Sequence, residues 1–350
     1  VFEQQLRSEH QMTAGHWPQS MAISSVGGWV ACRGAGQYST RYGKVEDMVN
    51  GLEVVLADGR VVNTGGRAPR SAVGPDLNQV FLGSEGALGV VTEVTLRAWP
   101  LPAEERRSAW TFATFGDGLE VCRRVMRRGA TPAVLRLYDG REGARFGGDG
   151  QRSVLLVLDE GDGRLVDASL EVLAEEASAL GNPGDVEAVG QWLEHRNDVS
   201  SLGDAVRAGV VVDTCEISAR WSALPAIHAT AVERFMGLPG EGIISCHQSH
   251  AYLDGACLYF TFAGFPEEGA AESFYAAAWD AIEGATMEAG GALSHHHGVG
   301  LLRSYMVRQA LGSGHDVLAA LKAALDPNGT LNPGAFDLAS PPQVVAWPPV

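Results

Sequence analysis

The stretch SHHHGVG at residues 294–300 sets His295, His296 and His297 side by side within a glycine frame. Imidazoles titrate near neutrality, so such a run suits proton transfer, anion binding or metal ligation. Read along a strand, His295 and His297 share one face and His296 takes the other. Two same-face histidines fall short of the convergent ligands a zinc site needs, and no HExxH spacing accompanies them, so no metal is expected. The internal position and the glycines argue against a tag or plain surface. Tyr259, in the apolar stretch GACLYFTF, is either a satisfied core tyrosine or, placed beside imidazoles, a general base. Arg136 in VLRLYD either snorkels to water or aims a fixed guanidinium into a pocket.

Two glycine-rich segments have the composition to hold a ligand through backbone. SSVGGWVACRGAG (24–36) carries Gly27, Gly28 and Gly34, and GSEGALGV (83–90) carries three glycines in seven residues. Glycines let a chain approach a ligand closely and expose amide N–H groups to its oxygens. Neither segment is a GxGxxG opening a helix after a strand, so a Rossmann site is not supported. Together they point to one large flat ligand.

The elements that must position these groups alternate. LEVVLADGRVV (52–62) predicts a hairpin around Asp58-Gly59, and a short helix, a glycine loop and a strand over about 90–98 follow. Pro100 and Pro102 mark a domain boundary. Beyond it, FGDGLEVCRRVMRRG predicts a helix, AVLRLYD and SVLLVLDE strands, and RLVDASLEVLAEEASALG a helix ending at Gly181. IISCHQSHAYLDGACLYFTFAG reads as strand, turn and strand. An Ala-rich helix closes on Gly290-Gly291, and DVLAALKAALDP forms the last helix.

The bulk numbers narrow the function classes. The 350 residues carry a formal charge of −16, which disfavours nucleic acid and anionic membranes as partners. No apolar run approaches the ~20 residues a bilayer-spanning helix needs. The start, VFEQQLRSEHQ, has neither the basic nor the apolar region of a signal peptide and reads as an amphipathic helix with Phe2, Leu6 and Met12 on one face. The scattered Cys32, Cys122, Cys215, Cys246 and Cys257 form no CxxC and suit buried thiols in a reducing cytoplasm.

Taken in order, SSVGGWVACRGAG, YGKVEDMV, VGPDLNQVFLGSEGALGVVTE, GACLYFTF and SHHHGVG resemble the blocks of vanillyl-alcohol-oxidase-type flavoproteins, and within them the alkylglycerone-phosphate synthase group. The similarity runs over roughly residues 4–335, and DPNGTLNPG is shared with many flavin oxidases of that fold. The resemblance implies an α+β chain. Its parts are the second portion of a vanillyl-alcohol-oxidase-type FAD-binding domain over 1–100 and an α/β cap domain with an antiparallel sheet over 101–290. A C-terminal active-site segment and helix return to the FAD domain over 291–337, and a tail spans 338–350.

By the same resemblance, FAD is lined by Gln19, Ser20, Met21, Ala22, Ile23, Ser24, Ser25, Gly27, Gly28, Cys32, Arg33, Gly34 and Ala35, and by Glu85, Gly86, Ala87, Leu88, Gly89, Val90 and Val91. Tyr259 takes the role of catalytic tyrosine, with His295, His296, His297 and Arg136 also important to activity. The group exchanges the acyl chain of acyl-dihydroxyacetone phosphate for a fatty alcohol, which implies a small, lipid-like substrate and admits a homodimer. Oxidation of a 2-hydroxy acid or alcohol, and a degenerate flavin fold without activity, are the other readings.

Two features depart from the pattern. Nothing here matches the family's PGRGTS-type pyrophosphate loop, and residues 1–12 read as the helix that follows it, so the chain is expected to begin inside a domain. The family's phosphate-binding arginine falls at Leu202 or Gly203. Arg196 and Arg207 are the candidate substitutes for substrate binding.

Overall fold

The computed structural model describes residues 1–198 and 200–339, so all but the start of the expected 338–350 tail lies outside the described residues. The chain forms two compact units. One comprises Val1–Gly36, Gly43–Pro100 and the chain from Ser294 on; the other comprises Gln37–Tyr42 and Leu101–Leu293.

In the first unit, the opening segment is the helix Phe2–His10. Strands β1 (Met12–Thr13), β2 (Val49–Val55), β3 (Val61–Asn63), β4 (Val90–Leu96) and β5 (Trp99–Pro100) follow. The predicted hairpin is β2–β3, with Gly59 at φ +85° in its turn. β2 also pairs antiparallel with β4, giving the order β3-β2-β4, while β1 pairs with β5. Val30, Leu52, Val54, Phe81 and Leu88 form the core, with Leu318, Leu321 and Leu325 of the helix Gly314–Leu325 packed against it.

His16 is a buried liability in this unit. It is 1% exposed, its ring lies 4.7 Å from that of Trp29, and neither ring nitrogen has a hydrogen-bond partner among the described residues. Burial pulls its pKa down from 6.5 to about 4. The unfolded chain therefore takes up this proton first, and stability present above pH 6.5 is lost as the pH falls towards 4. That shift corresponds to about 3 kcal/mol. Denaturant unfolding should show wild type losing about that much more than His16→Phe between pH 7 and about pH 4; parallel curves for the two proteins would refute it.

The second unit is built on strands β6 (Glu104–Phe112), β7 (Val134–Tyr138), β8 (Ser153–Gly161), β9 (Gly181–Pro183), β10 (Val211–Arg220), β11 (Glu241–Ala251) and β12 (Gly255–Phe265). They form one antiparallel sheet in the order β10-β12-β11-β7-β8-β6-β9. Alternation along β12 sorts its faces. Leu258, Phe260 and Phe262 are fully buried. Phe262 lies 5.8 Å from Phe235 of the helix Leu224–Met236 and 6.3 Å from Trp279 of the helix Ala271–Glu288. Tyr259 and Thr261 point to the other face, the polar one.

Two local expectations are corrected. The helix expected to end at Gly181 runs Gly163–Ser178 and is capped at Ala179. Gly181 instead opens β9 opposite Phe112, where a Cβ would sit 2.6 Å from the Phe112 ring, so close strand packing rather than capping calls for glycine. The histidine run is also not a strand. Residues 295–297 form a bend, so the alternating-face reading of His295, His296 and His297 does not hold.

Candidate active site

In the first unit the two glycine blocks are neighbours joined by backbone. The first becomes an exposed turn followed by the short helix Val26–Ala31, whose N-cap Ser25 accepts from Gly28 N at 3.1 Å. The second docks on its end, with Gly83 N donating to Val30 O and Glu85 N to Ala31 O, each at 2.9 Å. Glu85 then fastens the histidine loop. Its carboxylate accepts from Val299 N at 2.6 Å and Gly300 N at 3.0 Å, and its carbonyl accepts from Asn332 Nδ2 at 2.6 Å. Gly298, at φ +79°, passes so close to Glu85 that a Cβ would lie 2.5 Å from Oε1. Burial pushes the Glu85 carboxyl up, although the N–H groups of Val299 and Gly300 and the Arg303 charge pull against it. Burial, reinforced by Glu85, also raises the Cys32 thiol, which is therefore not a thiolate at neutral pH.

Within the histidine loop, Nδ1 of His295 lies 2.9 Å from Nδ1 of His296. Only one of them can donate there, so the other presents a lone pair. The His296 and His297 rings are 4.5 Å apart, and His297 is exposed.

The loops suit a flavin dinucleotide. Gln19, Ser20, Ala22, Ile23, Ser25 and Gly28 are exposed, and Met21, Ser24 and Gly27 half-buried. A Cβ on Gly27 would meet nothing nearer than Val91 O at 3.7 Å. First-turn amides of a helix have no intrahelical acceptor and favour anionic oxygens. Ala35, Ala87, Leu88 and Gly89 are buried, leaving backbone rather than side chain to a ligand. Arg33 pairs with Glu46 at 3.1 Å, Gly86 is half-buried, and Val90 and Val91 begin β4.

In the second unit, register places Glu216, Tyr259, His247 and Tyr138 in one row across β10, β12, β11 and β7. Tyr259 donates to Thr214 Oγ1 at 3.1 Å and stacks on His247, with centroids 4.8 Å apart at 13°. Arg136 is half-buried: Nε donates to Tyr138 Oη at 2.7 Å, and Nη2 lies 2.6 Å from His247 Nε2. Its guanidinium carbon is 5.8 Å from the centre of Trp192, and that of Arg196 is 5.4 Å from the same ring and 5.0 Å from Tyr38. Arg207, by contrast, is exposed on the helix Ser200–Arg207 and paired with Asp204. His247, Glu142, Thr214 and Trp192 escaped the sequence reading; the signal for His247 was its period-two phase with Tyr259, usable only once the hairpin register is known.

Comparison with known proteins gives this arrangement its relatives. The family described as FAD linked oxidases, C-terminal domain, matches residues 101–336, and the FAD binding domain family matches residues 2–65. An uncharacterized FAD-linked oxidoreductase of Escherichia coli strain K12 is 32% identical over 96% of this chain, which covers 73% of that protein. Alkyldihydroxyacetonephosphate synthase of Trypanosoma brucei brucei is 31% identical over 96% of the chain, covering 60% of the relative. A solved structure of an alkyldihydroxyacetonephosphate synthase superposes with TM-score 0.74 at 24% identity, covering 95% of this chain and 62% of that one. That of 4-ethylphenol oxidase from Gulosibacter chungangensis does so with TM-score 0.73 at 15% identity, covering 97% and 75%. The chain thus spans about six-tenths of the length of the synthases it matches. With an FAD-binding segment matched ahead of the oxidase domain, the chain belongs to the FAD-linked oxidases, whose cofactor is FAD.

Proposed function

We propose that this protein oxidises the hydroxyl group of a small anionic substrate, such as a 2-hydroxy acid. The observation that carries this reading is the linked set Tyr259, His247 and Arg136 on one sheet face. FAD, when bound, supplies a two-electron acceptor. The residues proposed to hold it are Gln19 to Ser25, Gly27, Gly28, Cys32 to Ala35 and Glu85 to Val91.

The chain's own groups handle charge and protons. Burial pushes the Tyr259 phenol up to about 12; the Thr214 hydrogen bond and Arg136 oppose this, and Glu216 reinforces it. The phenol is therefore protonated at neutral pH. It takes a substrate proton only as its own moves to Thr214 Oγ1, the atom it already donates to, while the threonine hydroxyl passes its own proton to water, from which half-buried Thr214 is not sealed. Arg136 spends two of its five N–H groups on Tyr138 and His247, leaving Nη1 to pair with the substrate's anion. His295, His296 and His297 remain proposed participants in proton handling.

Identity to alkyldihydroxyacetonephosphate synthases keeps acyl-for-alkyl exchange as the second reading. Arg207 lends it no support, being paired with Asp204 at the surface, so its phosphate would fall to Arg196, which shares the Trp192 ring with Arg136. Anaerobic mixing of the flavin-loaded protein with 2-hydroxy acids separates the two. Bleaching of the flavin is the expected result. Exchange on acyl-dihydroxyacetone phosphate without bleaching by any hydroxyl substrate would replace the first reading by the second.

A further inference from the structure

The surroundings of His247 fix where its proton sits. The residue is 3% exposed on β11, and Nε2 faces Nη2 of Arg136 at 2.6 Å. A guanidinium offers only donors, so Nε2 must be the acceptor. Nδ1 lies 3.1 and 3.2 Å from the two carboxylate oxygens of Glu142, itself 8% exposed, and so carries the ring proton. The imidazole is a neutral, single-tautomer bridge between a carboxylate and a guanidinium. One ring face lies on Tyr259, and Tyr138, which also holds Arg136, packs at 5.2 Å.

We propose that His247 is the positioning residue of this site: its Nε2 lone pair aims the Arg136 guanidinium at the substrate's anion, and its ring face seats the Tyr259 phenol. The proposal rests on the reading of Arg136 and Tyr259 as substrate-facing groups. The charged and titratable groups around the ring are Arg136 and Tyr138 on β7, Asp139 at the N-cap of the short helix Gly140–Gly143 and Glu142 within it, Arg145 just beyond, and Tyr259 on β12. Burial and the Arg136 charge hold the imidazole below its usual range against the pull of Glu142, so it stays neutral through the physiological range. A second ring proton would place N–H against N–H and release Arg136.

Nitrogen NMR of histidine-labelled flavin-loaded protein, with the His247 signal assigned by its loss in His247→Gln, reads this directly. The expected result is a neutral ring with its proton on Nδ1, and a return towards ordinary titration in Arg136→Met. A proton on Nε2, or titration indifferent to Arg136→Met, overturns the proposal. Kinetics with any hydroxyl substrate that bleaches the flavin supply the second readout. His247→Phe keeps an aromatic face but no acceptor, and should raise KM about tenfold or more with kcat changed less. His247→Gln keeps an acceptor but no ring, and should hold KM within about threefold while kcat falls. Parallel changes in both constants for both variants would show a merely structural role and overturn the proposal. The NMR result does not depend on the substrate, so absence of bleaching would remove the oxidation reading while the tautomer assignment is still decided.

Discussion

Tyr259→Phe is expected to lower the rate of anaerobic flavin bleaching by about 10²–10⁴-fold, the range for loss of a positioned proton-transfer group, while the protein retains its flavin. Only the hydroxyl is removed, so the ring still stacks on His247 and β12 keeps its place between β10 and β11. The segments proposed to hold FAD lie elsewhere in the chain. Stopped-flow absorbance gives the rate and the flavin-to-protein ratio together. The pH profile sharpens the test. With a phenol pushed up to about 12, a resting phenolate acting as base would make the rate climb about tenfold per pH unit. Passage of the proton through the phenol to Thr214 gives a flatter profile, and Thr214→Val should then slow bleaching as well. Unchanged rates in Tyr259→Phe would remove this residue from the mechanism.

That Tyr259 stands out from its strand was legible from period two alone. Leu258, Phe260 and Phe262 fill the core and leave Tyr259 on the opposite face. The β2–β3 hairpin was equally legible, because Asp58-Gly59 supplies the positive φ its turn needs. His247 was not. Placing it beside Tyr259 requires the register of β11 on β12, and that register shifts between Ser249 and Ala251, where His250 takes φ +53°. A bulge of that kind has no signal in SCHQSHAY beyond the polar residues themselves.

The histidine run shows a different limit. A strand would have put His295 and His297 on one face, but residues 295–297 bend, and the segment after them is held by Glu85, through Val299 and Gly300, and by Arg303 donating to Gly298 O. Glu85 lies more than 200 positions earlier, so sequence could mark it by resemblance as flavin-lining but could not show that its carboxylate organises the histidine loop. Likewise Arg196 and Arg207 were equivalent candidates in the text. Packing separates them, one against Trp192 and Tyr38 and the other at the surface with Asp204.

The largest loss of stability is expected from Lys322→Met, about 3–5 kcal/mol, the cost of breaking a buried ion pair from one side. Lys322 is 4% exposed and Asp326 2%. The ammonium uses all three donors, on Asp326 Oδ2 at 2.5 Å, Leu331 O at 2.6 Å and Ala87 O at 3.0 Å. Asp326 also accepts from Thr330 N at 2.9 Å and Leu331 N at 2.7 Å. Burial pushes the Asp326 carboxyl up, but Lys322 and these N–H groups outweigh it and hold the pKa below the usual range. The stabilisation is therefore present at neutral pH and fades as the carboxyl protonates in acid. Methionine fills the space of the stem yet leaves the carboxylate without its cation and two carbonyls without their donor. Because the backbone N–H groups remain, the loss should fall towards the lower end, and Lys322→Met with Asp326→Asn should recover part of it. Denaturant unfolding at neutral pH measures both; a single variant within about 1 kcal/mol of wild type would mean water or neighbouring donors replace the ammonium. Since Ala87 O belongs to the GSEGALGV loop, the same variant should also weaken flavin retention, joining the stability of this clamp to the site it borders.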